Sequence, residues 1–164
     1  MLQISLIPLL RGKYRLTKHV DYAKKTKKWI RMLDSNRILK VSRNVIKIFE
    51  KCEQKEGCHE AGGILLGYVA RDYVEITDAT TPNRFDLRNF FSFVRAKIPA
   101  QLRIDKAWKK SSGTKVYLGE WHTHSEVYPT PSLEDRQMIS KTFQETQMEI
   151  DFLYLIGQQS YMLN

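Results

Sequence analysis

Lys115-Val-Tyr-Leu-Gly-Glu-Trp-His-Thr-His124 is the stretch on which the reading of this chain turns. Val116, Tyr117, Leu118 and Trp121 give it the composition of a β-strand, entered just after the break at Gly113. At the end of a strand alternate residues point to one side, so His122 and His124 face a single volume. Two imidazoles so placed can offer nitrogens to one divalent metal. A third protein ligand would leave the fourth position of a tetrahedral zinc open to water, as a catalytic site requires. Taken alone the His-x-His pair is weak evidence, because surface or hydrogen-bonded histidines share this spacing.

Downstream, the proline-punctuated loop Tyr128-Pro-Thr-Pro-Ser132 leads to Asp135, which a folded-back chain would bring to the strand end as that third ligand. Ser132-Leu-Glu-Asp135 also has the form of a capping box, a serine followed three residues on by a carboxylate. The two readings are compatible, since Ser132 can cap a helix while Asp135 turns to a metal. Upstream, Glu60 opens the glycine-rich apolar run Glu60-Ala-Gly-Gly-Ile-Leu-Leu-Gly-Tyr-Val69. Burying an unpaired carboxylate is expensive, so Glu60 is an odd packing residue. Beside a metal-bound water it has a purpose, accepting a proton and passing it to a leaving amine. The plainer reading is a strand-end glutamate in solvent. Gly63 excludes the helical HExxH zinc motif that His59-Glu60 would otherwise open.

Around these residues the periodicity predicts a strand over Arg37–Val41, a cap at Ser42 and an amphipathic helix over Val45–Glu53. Tyr73–Thr77 reads as a strand paired with the glycine-rich one, Pro82–Asn89 as a loop and Phe90–Val94 as a short strand. A second helix spans Pro99–Lys110, with Leu102, Ile104, Ala107 and Trp108 as its expected apolar side. A third begins near Ser132 and runs to Glu145; Asp151–Gly157 closes as a strand, with a very short one at Tyr161. This order implies an α/β or α+β domain, a mixed sheet with helices packed on it.

With 164 residues, 42% hydrophobic and 27% charged, the chain has the size and composition of one soluble domain, and no apolar run approaches a membrane span. Met1–Leu10 lacks a basic lead and a cleavage site, so it is a poor signal peptide. Cys52 and Cys58 fit neither a zinc pair nor a redox CxxC; free thiols in a reducing cytoplasm are the expectation. The net charge of +9 sits entirely in residues 1–40, where eleven Lys and Arg face Asp21 and Asp34; sixteen cations balance sixteen anions in the rest. Residues 1–36 therefore read as a basic, flexible N-terminal extension on a domain over 37–164, with Met32 an alternative start. Such an arm can attract nucleic acid, an anionic membrane or an acidic partner, or stand as a solvated extension. Nucleic acid is not expected for the core.

Glu60, then His122-x-His124, then seven residues to Ser132 and two more to Asp135, resembles the signature of the JAMM (JAB, MPN-plus) zinc metallopeptidases. The setting matches too, from about Arg37 to the C-terminus: Glu60-Ala-Gly-Gly-Ile-Leu-Leu-Gly resembles the family's glutamate strand and Gly119-Glu-Trp-His-Thr-His its metal strand. The resemblance implies one Zn2+ per chain on His122, His124 and Asp135, with Glu60 as general base and then acid. It implies that Ser132 hydrogen-bonds the oxyanion, and that the fold is a mixed sheet sandwiched by helices. Family members hydrolyse the isopeptide or peptide bond after the C-terminus of ubiquitin or a ubiquitin-like protein, and segments 81–95 and 125–131 are where a groove for the tail would form. The small single-domain form is most similar to bacterial members of anti-phage CBASS and Bil operons. There the substrate would be a nucleotidyltransferase conjugated through its C-terminus. Two other classes use some of the same residues: a two-His-one-carboxylate iron enzyme, which has no need of Glu60, and a non-catalytic binding or scaffold module working through the basic arm.

Overall fold

The computed structural model describes residues 4–10, 13–14, 22–23, 28–32, 38–52, 58–124, 132–145 and 152–158. In chain order the strands are β1 (Ile4–Leu10), β2 (Lys13–Tyr14), β3 (Tyr22–Ala23), β4 (Lys28–Met32), β5 (Ile38–Val41), β6 (Gly62–Val69), β7 (Tyr73–Ala79), β8 (Leu87–Arg88), β9 (Phe93–Val94), β10 (Val116–His124) and β11 (Phe152–Gln158). The helices are α1 (Arg43–Lys51), α2 (Lys97–Lys110) and α3 (Leu133–Glu145). Nine strands join in the order β2-β1-β11-β10-β6-β7-β5-β4-β3, while β8 and β9 form a separate hairpin. β10 runs parallel to β11 and β5 parallel to β7, whereas β6 is antiparallel to both its neighbours. The sheet is thus mixed and flanked by helices, as the element order implies. The expected strand at Tyr161, the loop 125–131 and the helix end at residue 53 lie outside the described residues.

β6 is central because its run Gly62–Leu66 is apolar on both faces, and all five residues are buried. Alternation then sorts them. Leu65 meets α1 through Val45, Ile46 and Phe49, together with Leu39, Val74, Ile76, Leu118 and Trp121. Ile64 and Leu66 meet α2 through Ala100, Ile104 and Ala107, together with Tyr117. Full burial of a side chain such as Ile64 or Leu65 is worth roughly 1.5–3 kcal/mol. α1 is capped as its sequence requires: the Val45 amide donates to Ser42 Oγ at 3.4 Å, and Ser42 Oγ donates onward to the Thr77 carbonyl at 3.1 Å.

One irregularity decides which face the histidines occupy. Between Tyr117 and Gly119 the β10–β6 register shifts, so that Tyr117 lies opposite Leu66 and Gly119 opposite Leu65. Gly119 has φ of 146°, in the half of backbone space that favours glycine. The extra residue reverses the alternation. After it, Glu120 stands opposite Ile64 and His122 opposite Gly62, on the α2 face, while Trp121 packs on the α1 side against Phe49. An unbulged strand would have turned both histidines into the α1 core.

Three expectations are corrected. Leu102 and Trp108 do not belong to the packed side of α2: they are exposed, and the packed stripe is the buried Ala100 with the partly buried Ile104 and Ala107, at four- and three-residue spacing. Leu102 lies two positions from Ile104, about 200° round the helix, and so faces solvent. The helix also begins at Lys97, two residues earlier, because Pro99 in its first turn lacks only an amide that has no intrahelical partner there. The loop over 82–89 contains β8, paired with β9 through Leu87–Val94 and Arg88–Phe93. Backbone pairing also joins parts of the basic segment to the sheet, β1 to β11 and β4 to β5.

Candidate active site

His122 and His124 end β10 with their rings stacked, centroids 4.5 Å apart and planes 21° from parallel. Their Nε2 atoms are 2.6 Å apart. Thr123 between them turns the other way and locks the strand end to β6: the Ala61 amide donates to Thr123 Oγ1 at 3.0 Å, and the Thr123 amide to the Ala61 carbonyl at 2.8 Å. Opposite His122 the absence of a side chain is required. A Cβ on Gly62 would stand 2.5 Å from the Phe93 ring and 2.7 Å from the Trp121 carbonyl.

Asp135 reaches the histidines from the first turn of α3. Its Oδ2 lies 3.2 Å from His124 Nε2 and its Oδ1 3.6 Å from His122 Nε2. The same carboxylate closes the capping box, with the Ser132 amide donating to Asp135 Oδ2 at 2.7 Å and the Asp135 amide to Ser132 Oγ at 3.1 Å. The capping box is therefore formed, and the same carboxylate lies against both histidine rings at the strand end. Ser132 Oγ accepts in this box, which leaves its proton to donate.

Glu60 is buried, not a solvent-exposed strand end. One donor atom from each of Glu60, His122 and His124 lies within 4.8 Å of the other two. Its backbone is held by the β8–β9 hairpin. The Glu60 amide donates to the Asn89 carbonyl at 2.9 Å, and Arg88 Nε donates to the Glu60 carbonyl at 2.6 Å. A second anchor lies two residues before His122. Glu120 Oε1 accepts from Arg95 Nε at 2.9 Å, from Arg95 Nη2 at 2.5 Å and from the Tyr117 hydroxyl at 3.1 Å. Burial and the Glu120 carboxylate push the Tyr117 hydroxyl well above its usual range, so it remains a donor.

The four residues make a fitting set for a divalent cation. Burial lowers the His122 imidazole to about 3, against the opposing pull of Asp135, so the ring is neutral and its lone pair available. Burial disfavours the Asp135 anion, but the hydrogen bond from His124, the neighbouring His122 and the Ser132 donors outweigh it and hold the carboxyl below the usual carboxylate range. Two donors at about 2.0–2.1 Å from a tetrahedral centre are about 3.3 Å apart. The observed separations of 2.6, 3.2 and 3.6 Å bracket that value.

Residues 42–163 match the family described as prokaryotic homologs of the JAB domain. The chain belongs to this family. Among relatives of this JAB-family chain is a protein named CD-NTase/cGAS isopeptidase from Vibrio cholerae, 31% identical over 104 residues that cover 63% of this chain and 65% of the relative. Proteins of the same name from Pseudomonas aeruginosa and Escherichia coli are 36% identical over 104 residues (63% of this chain, 66% of the relative) and 40% over 76 residues (46% and 49%). The aligned region thus spans from about half to just under two thirds of the curated relatives.

Sequence reasoning missed Arg88, Asn89, Arg95 and Glu120. Glu120 carries the same signal as Glu60, a carboxylate within an apolar strand, and that argument extended to it would have demanded a buried cation. Arg88 and Arg95 carry no comparable signal, being two of several cations in polar connecting sequence. No helix among the described residues is long and apolar enough to cross a membrane.

Proposed function

We propose that this chain is a zinc-dependent isopeptidase that hydrolyses the bond between the C-terminus of a ubiquitin-like protein, or of a similarly conjugated protein, and the amine of its target. The observation that carries this reading is the convergence of Glu60, His122 and His124 within 4.8 Å, with Asp135 against both rings. The relatives named CD-NTase/cGAS isopeptidase support a conjugated nucleotidyltransferase as the substrate; a link through its C-terminus is what the family resemblance implies. The domain over 37–164 carries the activity, and the basic segment 1–36 serves as its extension.

His122, His124 and Asp135 would hold the ion. When bound, zinc would act as a Lewis acid and lower the pKa of a coordinated water. Glu60 takes the proton from the attacking water and later delivers it to the leaving amine, so the carboxylate is regenerated each cycle. The Ser132 hydroxyl donates to the oxyanion of the tetrahedral intermediate. Burial of Glu60 and of both histidines keeps bulk water from competing for these protons. Beside Glu60, the β8–β9 hairpin and its approaches expose Phe85, Leu87, Phe91 and Val94. An apolar patch of this kind, in the segment expected to bind the tail, suits an extended peptide.

The test is metal content by mass spectrometry, beside cleavage of a nucleotidyltransferase or ubiquitin-like conjugate. The wild type and Glu60→Ala should hold about one zinc per chain, as the single site implies, and His122→Ala little. Glu60→Ala should lose about 10²- to 10⁴-fold in rate. Near-normal turnover by Glu60→Ala would remove its assigned role. Iron in place of zinc, with oxygen-dependent turnover, would reopen the chemistry, and no metal after reconstitution would favour a scaffold.

A further inference from the structure

We propose that Arg88 is a positioning residue for Glu60, acting through the backbone to which its guanidinium is bonded; this rests on Glu60 being the general base. The pairing of β6 begins only at Gly62, and Ala61 is fixed by Thr123. Glu60 stands one residue beyond that support. Among the described residues, both polar groups of its backbone end on the hairpin: the amide on the Asn89 carbonyl at 2.9 Å and the carbonyl on Arg88 Nε at 2.6 Å. Arg88 Nη2 adds a longer contact of 3.4 Å to the His59 carbonyl. The two arms of one planar guanidinium therefore reach consecutive carbonyls, a geometry that a lysine ammonium does not reproduce.

The hairpin is itself held by hydrogen bonds within its turn. The Phe91 amide donates to Asn89 Oδ1 at 2.7 Å and the Asn89 amide to the Ser92 carbonyl at 3.0 Å, which fixes the turn. His59 and Phe90 add an edge-to-face ring contact at 4.9 Å. The other leg is anchored to the metal strand, with Phe93 seated against Gly62 and Arg95 bonded to Glu120. One hairpin thus spans both halves of the site, with Arg88 at the base and Arg95 at the strand that ends in the histidines. A general base must sit within about 0.5 Å of its productive place, and a misplacement of about 1 Å costs on the order of 10²-fold. Losing Arg88 therefore acts on turnover and leaves the ligands alone.

The experiment compares zinc-loaded wild type, Arg88→Ala and Arg88→Lys by steady-state kinetics, metal analysis and amide-exchange mass spectrometry. Arg88→Ala should lower kcat about 10- to 100-fold, leave KM within about 3-fold, keep the metal content, and speed exchange in the peptide holding Glu60 while that over Val116–His124 stays protected. Arg88→Lys should recover part of kcat, since its ammonium can still donate to the Glu60 carbonyl but cannot reach both carbonyls as the planar fork does. Three results would overturn the proposal: a raised KM at unchanged kcat, which would make Arg88 a substrate contact; loss of metal in Arg88→Ala, which would make it a general support of the fold; or unchanged exchange at Glu60. If the wild type cleaves no conjugate, the isopeptidase reading fails separately, and the exchange comparison still decides whether Arg88 holds Glu60.

Discussion

The two faces of the sheet are built to opposite standards. α1 covers its face with Val45, Ile46 and Phe49 all buried, a side-chain cap at Ser42 and an aromatic contact between Phe49 and Trp121 with centroids 4.8 Å apart. α2 buries only Ala100, has no side-chain cap, and leaves Ile98, Leu102 and Trp108 in solvent. Residues 95–115 carry seven Lys and Arg against Asp105 alone, a local excess hidden by the charge balance over 41–164. Glu120 and His122 belong to this thinly covered face, and Asp135 of α3 reaches the histidine rings. The difference teaches a division of labour: close packing on the α1 side fixes the strands, and the other side carries the buried polar groups Glu120 and His122.

The largest expected effect breaks the comparison from the well-packed side. Phe49→Ala should cost about 3–5 kcal/mol in denaturant unfolding, because a buried ring is removed from beside Trp121. If the cost is under about 1 kcal/mol, stability does not lie on the α1 face. Acid supplies the next effect, from the open side. In the metal-free chain His122 is held neutral down to about 3, while the unfolded chain takes up that proton near 6.5. The unfolded state therefore binds more protons between these values, and stability falls as the pH is lowered from 6.5 towards 3, by at most about 1.4 kcal/mol per pH unit from this group. Asp135 adds to the loss only below its ordinary carboxylate range, because its native pKa is lowered. Thermal melts in chelator across this window should show the slope, and His122→Gln should flatten it; an unchanged slope would show that His122 is not its source. The smallest effect sharpens the contrast: Leu102→Ser on the outer side of α2 should shift unfolding by no more than about 0.5 kcal/mol. A loss near that of Phe49→Ala would mean that the outer side of α2 is covered in solution.

Much of the fold was legible because it is written in local periods. The runs Gly62–Val69 and Val116–His124 have strand composition, Val45, Ile46 and Phe49 have helical spacing, and Ser42 is a cap in the sequence as in the fold. The outer residues of α2 were misassigned because Leu102 and Trp108 are as apolar as Ile104, and composition does not say which side of a helix has a partner. The pair β8 and β9 was missed on one side because two-residue strands are too short to show a period.

By itself the sequence determined the chemistry on offer: two histidines at strand spacing, a serine and an aspartate at cap spacing, and a glutamate ahead of a glycine-rich apolar run. These are short-range patterns, and residue type and spacing suffice to state them. Only the tertiary structure decided that the bulge at Gly119 turns the histidines towards the α2 face, and that Glu60 is buried beside them. It also decided that Arg88 reaches back 28 residues to Glu60 and Arg95 forward 25 residues to Glu120. Such bonds join segments whose separation in sequence carries no signal of their approach; they form where the separate β8–β9 hairpin packs against the strand ends and buried polar groups there need partners.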